Sequence, residues 1–181
     1  MIVKETKLKD CFIIEPQVFN DKRGYFVENY NQKTFKKALG IDIEFVQDNE
    51  SKSSKGVLRG LHYQLGSFAQ AKLVRVIKGS VLDVAVDLRP NSATFGEHFS
   101  VVLTEQNKKQ LFVPRGFAHG FLVLEDQTIF SYKCDNFYNK ESEAGVIYND
   151  ETLGIDWTMM EDDLIISDKD LLLPTFKNAR L

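Results

Sequence analysis

The sequence predicts an all-β protein, best fitted by a jelly roll with a few short helices, and three observations predict it. First, Val81–Arg89 alternates apolar Leu82, Val84, Val86 and Leu88 with Asp83, Ala85, Asp87 and Arg89, the period of a strand with one face on a core. Second, short β-rich runs follow at Phe99–Leu103, Gln110–Val113, Phe121–Leu124 and Thr128–Lys133, bounded by Gly, Pro, Asn and Asp. Third, only one segment carries clear helix signals. Many short strands with few helices favour a closed or double-sheet arrangement, because it hides unpaired strand edges.

Each element has its own warrant. The helix is expected at about Asn31–Leu39, where Phe35, Ala38 and Leu39 share a face and Gly40 supplies the stop. Leu73–Ile77 is an apolar strand headed by Lys72. Pro114–Phe121 is expected to be a turn between strands that presents His119 at a strand end, with Gly116 and Gly120 allowing tight bends. After Trp157 the chain mixes acidic and aliphatic residues, which predicts a wrapping tail with little regular structure. No repeat, low-complexity tract or linker divides the chain, so residues 1–181 are expected to form one domain.

With 43% hydrophobic and 27% charged residues and a net charge of −3, the chain has an ordinary globular composition. That balance argues against nucleic acid or a membrane surface as the main partner, so a bound anion must meet a local basic cluster. No stretch approaches the roughly 20 apolar residues that span a bilayer, and Met1–Pro16 lacks the apolar run of a signal peptide. A cytoplasmic protein is expected, with Cys11 and Cys134 as buried thiols rather than a disulfide.

The densest polar segment is Gln47–Gln64, which carries Gln47, Asn49, Ser51, Ser53, Arg59, His62 and Gln64. These side chains must face solvent, one another or a ligand. Arg59 beside Gly60 suits phosphate, since a guanidinium forks to two oxygens and glycine lets backbone approach. Taken alone, though, Arg59 and His62 fit a surface loop equally well. Lys72 either snorkels to a rim or points into a cavity, where it would stabilise a developing oxyanion. His119 suits a core histidine as well as a functional one, and Tyr132, on one face with Phe130, suits a core tyrosine.

Taken together, these pieces closely resemble the dTDP-4-dehydrorhamnose 3,5-epimerase family over nearly the whole chain. The resemblance rests on Phe19-Asn-Asp-Lys-Arg-Gly-Tyr-Phe-Val-Glu28, Gln47-Asp-Asn49 and Val57-Leu-Arg-Gly-Leu-His-Tyr-Gln64. It continues through Lys72-Leu-Val, Asp83-Val-Ala-Val-Asp-Leu-Arg89, Pro114-Arg-Gly-Phe-Ala-His-Gly-Phe121, Tyr132-Lys and Gly154-Ile-Asp-Trp157. It implies a cupin-type double-stranded β-helix, a homodimer, and action on a dTDP-linked 4-keto-6-deoxy sugar without metal or organic cofactor. By position, His62 is implied as the base, Tyr132 as the acid, Asp170 as the carboxylate that orients His62, and Lys72 as the group that steadies an enolate. Asp168 is a weaker substitute for Asp170. Arg23, Arg59 and Lys169 match diphosphate-binding positions, while Glu28, Gln47 and Asn49 match contacts to thymidine and nearby groups. Tyr138 matches the residue that stacks on thymine, and His119 and Glu143 match further substrate contacts.

The implied chemistry is coherent with these residue types. A ketone at C4 acidifies the hydrogens at C3 and C5, so an enolate forms without a redox cofactor. Inversion then needs a base and an acid on opposite faces, since return of the proton from the side of removal restores the starting configuration. With an unperturbed pKa of about 6.5, much of a histidine is neutral at cytosolic pH, and tyrosine stays protonated up to roughly pH 10. Two rivals remain. A metal-dependent cupin is favoured by Pro114-x-Gly116-x-x-His119, but the paired His-x-His is replaced by His62-Tyr63-Gln64, and the chain has three histidines in all. A non-catalytic sugar-nucleotide binder would not need His62, Tyr132 and Asp170 together. Whether C3, C5 or both centres invert is not legible in these residues; inversion of both is the expectation.

Overall fold

A computed structural model describes residues 1–181. The strands are β1 (Ile2–Glu5), β2 (Phe12–Glu15), β3 (Val18–Asp21), β4 (Gly24–Val27), β5 (Gln47–Ser53), β6 (Leu58–Gln64) and β7 (Lys72–Lys78). They continue with β8 (Ser80–Asp87), β9 (His98–Thr104), β10 (Gln110–Val113), β11 (Phe117–Val123), β12 (Thr128–Cys134) and β13 (Glu143–Gly145). Two helices, α1 (Gln32–Leu39) and α2 (Asp168–Leu171), complete the regular structure, together with short 3₁₀ turns. The all-β expectation holds.

One sheet has six strands in the order β1-β2-β10-β7-β12-β5, the other five in the order β13-β6-β11-β8-β9. Hairpin β3–β4 pairs only with itself. Between the two large sheets lies a core to which Val74, Val76, Leu111 and Phe130 contribute from the first and Val81, Ala85, Phe117 and Phe121 from the second. Odd-numbered residues of β8 and β11 therefore face the other sheet.

The even-numbered Leu82, Val84, Val86, Ala118 and Leu122 face outward, yet they pack under Tyr148, Leu153 and Trp157 from the C-terminal segment. All eight residues of β8 are buried as a result. The alternation in Val81–Arg89 had implied one buried face; the wrapping tail buries the second, and Asp83 and Asp87 turn inward, not to solvent. The six-stranded sheet is covered similarly: Phe35 of α1 packs on Ile14, Leu73 and Phe112.

Helix α1 begins as its sequence requires, with Asn31 accepting from the Lys33 and Thr34 amides and Gly40 closing it at φ 70°. The surface-loop reading of Arg59 and His62 falls, because Gln47–Gln64 contains two strands, β5 paired with β12 and β6 with β11. One other expectation shifts. In Pro114–Phe121 the turn ends at Gly116, and His119 sits in mid-strand rather than at a strand end. The tail carries the one-turn helix α2, capped by the Ser167 side chain.

Strands β6 and β11 approach unusually closely at Gly60 and Gly120. A Cβ on Gly60 would lie 2.6 Å from Gly120 Cα, and one on Gly120 would lie 2.8 Å from the Arg59 carbonyl. Gly60 also holds φ at 122°, a region open in practice to glycine alone. The register shifts between His119 and Phe121 at this contact. No helix is long and apolar enough to cross a membrane.

Candidate active site

A cavity of about 510 Å³ adjoins Gly120 and is lined from both large sheets. Its lining includes Arg59, His62, Lys72, His119, Tyr132, Lys169 and Asp170. Each reaches it for a local reason. His62 and His119 are direct cross-strand partners on β6 and β11, so both project from the five-stranded sheet on one face. Tyr132 is on β12 and Lys72 on β7, neighbours in the opposing sheet, with the Lys72 ammonium 5.9 Å from the Tyr132 ring centroid. Asp170 arrives from α2, which lies against β6.

The imidazole of His62 is oriented by Asp170: its Nε2 lies 2.8 Å from Oδ1, while the Gly60 amide donates to Oδ2 at 3.2 Å. Burial alone would raise the Asp170 carboxyl, but these contacts hold it below the usual carboxylate range. The pair therefore stays ionised on the carboxylate side at neutral pH. Burial pushes the Lys72 ammonium down, opposed by the charges of Asp83 and Glu143 and by Cys134. Burial, reinforced by Cys134, pushes the Tyr132 phenol up against the pull of Arg59. A protonated phenol thus faces an oriented imidazole across the cavity, with a lysine beside the phenol.

A second group of residues is tied to the cavity through Lys169, the one member of the group that lines it. Tyr138 Oη donates to Glu143 Oε2 at 2.9 Å, and Lys169 Nζ lies 2.7 Å from Glu143 Oε1. Glu143 is held below the usual range by Lys169 and Tyr138 in spite of burial. Gln47 Oε1 accepts from the Tyr138 amide at 3.0 Å, and Gln47 Nε2 donates to Asn49 Oδ1 at 3.1 Å. Gln47, Asn49, Tyr138, Glu143 and Lys169 are thus linked in one chain of contacts. Arg59 donates to Ser53 Oγ at 3.2 Å and is exposed.

Arg23 and Glu28 are not brought to this cavity within one chain. Arg23 pairs with Asp21 in the free-standing hairpin, and Glu28 accepts from Asn31 at the start of α1. Their separation follows from the hairpin's lack of pairing with either large sheet. Asp168 is exposed and forms no part of the cavity lining, whereas Asp170 is buried.

Sequence reasoning missed Asp83, which hydrogen-bonds His119 with no exposure of its own. No local signal marked it, because Asp83 shares the polar half of the β8 alternation with Asp87. It also gave no role to Ser51, whose buried Oγ lacks a protein partner and which lines the cavity. No group of three or more His, Cys, Asp or Glu side chains is arranged to hold a metal ion.

The family model described as dTDP-4-dehydrorhamnose 3,5-epimerase matches residues 5–178. The chain belongs to the dTDP-4-dehydrorhamnose 3,5-epimerase family. A family member from Shigella flexneri is 53% identical over 179 residues, covering 99% of this chain and 98% of its own. Among solved epimerases, one from Elizabethkingia anophelis superposes with a TM-score of 0.95 at 60% identity, covering 98% of this chain and 97% of its own. Another, from Legionella pneumophila, has a TM-score of 0.94 at 45% identity and covers 98% and 93% of the two chains. That epimerase was solved in complex with dTDP-4-keto-L-rhamnose. The fold of this epimerase-family chain is accordingly the cupin-type jelly roll.

Proposed function

We propose that this chain is a dTDP-4-dehydrorhamnose 3,5-epimerase, converting dTDP-4-keto-6-deoxy-D-glucose to dTDP-4-keto-L-rhamnose through an enolate. One observation carries the reading: the oriented imidazole of His62 and the protonated phenol of Tyr132 come from opposing sheets of one cavity. With a sugar ring between them, His62 removes a proton from the carbon beside the ketone and Tyr132 returns one to the other face. Asp170 stabilises the imidazolium formed, and Lys72 stabilises the enolate oxygen. Inversion at both C3 and C5 is supported by similarity to family members named for both centres.

The nucleotide supplies the remote binding energy that holds the small, uncharged sugar. Arg59 and Lys169 suit the diphosphate, Tyr138 the thymine face, and Gln47, Asn49, Glu143 and His119 the remaining polar contacts. Arg23 and Glu28 serve the same nucleotide from a second copy of the chain. A homodimer is supported by the hairpin that carries Arg23 outward beside exposed Phe19, Tyr25 and Phe26. The enzyme works in the cytoplasm, a setting that suits two buried free cysteines, Cys11 and Cys134.

Proton NMR of dTDP-4-keto-6-deoxy-D-glucose in D₂O tests the proposal. With catalytic protein, the C3 and C5 proton signals disappear and those of the L-configured product frame grow. Unchanged spectra at stoichiometric protein would refute it; exchange at one carbon alone would favour a single-centre epimerase.

A further inference from the structure

The cavity contains a second histidine–carboxylate pair for which the proposed chemistry has given no reason. His119 Nε2 lies 3.0 Å from both Oδ1 and Oδ2 of Asp83. Asp83 is opposite Phe121 on the neighbouring strand, so it reaches His119 diagonally on the inward face. Its carboxyl is completely buried and has no other hydrogen-bond partner. The imidazole is held in plane by Phe130, stacked at 6.3 Å and 16°, and by Phe121 at 6.4 Å. Its Nδ1 has no protein partner and is not sealed from solvent, which leaves that nitrogen open to the cavity.

We infer that Asp83 is a positioning residue: by accepting from His119 Nε2 it fixes the ring's tautomer and makes Nδ1 an acceptor for a hydroxyl of the bound sugar. The inference rests on the epimerase reading for the identity of that sugar. A carboxylate can only accept, and two oxygens equidistant from one nitrogen suit a single N–H between them. The proton therefore sits on Nε2, and the neutral ring offers a lone pair at Nδ1. A ketone or enolate oxygen has no proton to give such a lone pair, whereas a ring hydroxyl beside the ketone has one. His119 thus grips a hydroxyl while Lys72, on the opposite sheet, meets the oxygen that becomes charged. The grip sets where the carbon acid lies relative to His62, the cross-strand partner of His119.

The decisive measurement is the nitrogen-15 spectrum of the histidine side chains in the whole protein. There are three histidines, so His98→Gln and His62→Asn variants assign all the resonances. In the neutral ring, His119 is expected to show a protonated Nε2 and an unprotonated Nδ1. Asp83→Asn, whose amide can donate to Nε2, should invert that pattern. The same variant should lower kcat by about 10²-fold, the order expected from misplacing a reacting ring by about 1 Å. Its affinity for dTDP should be unchanged, because the inference assigns His119 to the sugar and not to the nucleotide. A purely structural carboxylate would instead lower the unfolding midpoint and leave kcat intact at temperatures well below it.

The inference is overturned if wild-type His119 carries its proton on Nδ1. It is equally overturned if Asp83→Asn inverts the tautomer yet keeps kcat within about threefold of wild type. The first test needs no variant at the pair, so it stands even where Asp83→Asn fails to fold. Absence of turnover by the wild-type chain would refute the epimerase reading separately, without touching the tautomer result.

Discussion

Replacing Tyr132 by phenylalanine removes a single oxygen, and the structure makes that change unusually clean. The Tyr132 ring packs against Phe130 at 6.0 Å and borders the inter-sheet core, so phenylalanine keeps the packing. Its hydroxyl has no protein hydrogen-bond partner, so nothing buried is orphaned by its loss and the unfolding free energy should move by less than about 0.5 kcal/mol. The chemical effect should be far larger. A positioned acid contributes about 10²–10⁴ in rate, equivalent to roughly 3–5 kcal/mol of barrier. Inverted product should therefore form about 10²–10⁴ times more slowly. Proton removal by His62 does not need the phenol, so solvent deuterium should still enter the substrate carbon. Following deuterium incorporation and product formation in one NMR time course separates the two steps. Inversion within about tenfold of wild type, or equal loss of exchange and inversion, would refute a two-face mechanism built on these two residues.

Three other perturbations test neighbouring parts of the argument. Asp170→Asn keeps the side chain's size but removes the charge paired with His62 at 2.8 Å; kcat should fall about 10²–10⁴-fold with dTDP affinity preserved, as read by steady-state kinetics and calorimetry. Gly120→Ala forces a methyl to within 2.8 Å of the Arg59 carbonyl, so β6 and β11 must part at a cost of about 1–3 kcal/mol, measurable by urea unfolding. Asp87 is fully buried, and although burial works against it, hydrogen bonds from Arg89, Ser92 and Thr94 depress its pKa from 3.8 to about 2. A depressed carboxyl stabilises the fold above its unfolded value and ceases to do so as pH drops. Asp87 should thus contribute a decline of about 2 kcal/mol between roughly pH 4 and pH 2, and Asp87→Asn should make the acid unfolding curve shallower by that amount.

Period-two patterning located β8, β9, β10 and β12 to within a residue or two, and the Asn31 and Gly40 caps located α1, because those signals are local. What patterning misjudged was burial. The alternation in β8 looked like one dry and one wet face, but a segment some 70 residues later in sequence covers the outer side, and no local window contains that information. A surface loop fitted Arg59 and His62 for a related reason: with Ser51 they line the cavity, so their polarity marks the site rather than solvent. His62, Tyr132, Lys72 and Asp170 could be joined on paper only through family resemblance, since sequence spacing alone does not bring them together. Asp83 went unread because an inward acid is legible only once the barrel is closed around it.

The partner that orients His62 lies 108 residues further along the chain, on a one-turn helix close to the C-terminus. On the ribosome, the sheets, the lysine and the phenol are all synthesised before that carboxylate emerges. A nascent barrel can therefore assemble its walls while its imidazole still lacks a counterion, and chemical competence comes as a late event in biogenesis. The same segment also covers the outer face of the five-stranded sheet, so the carboxylate that completes the site is delivered by the piece of chain that closes the fold.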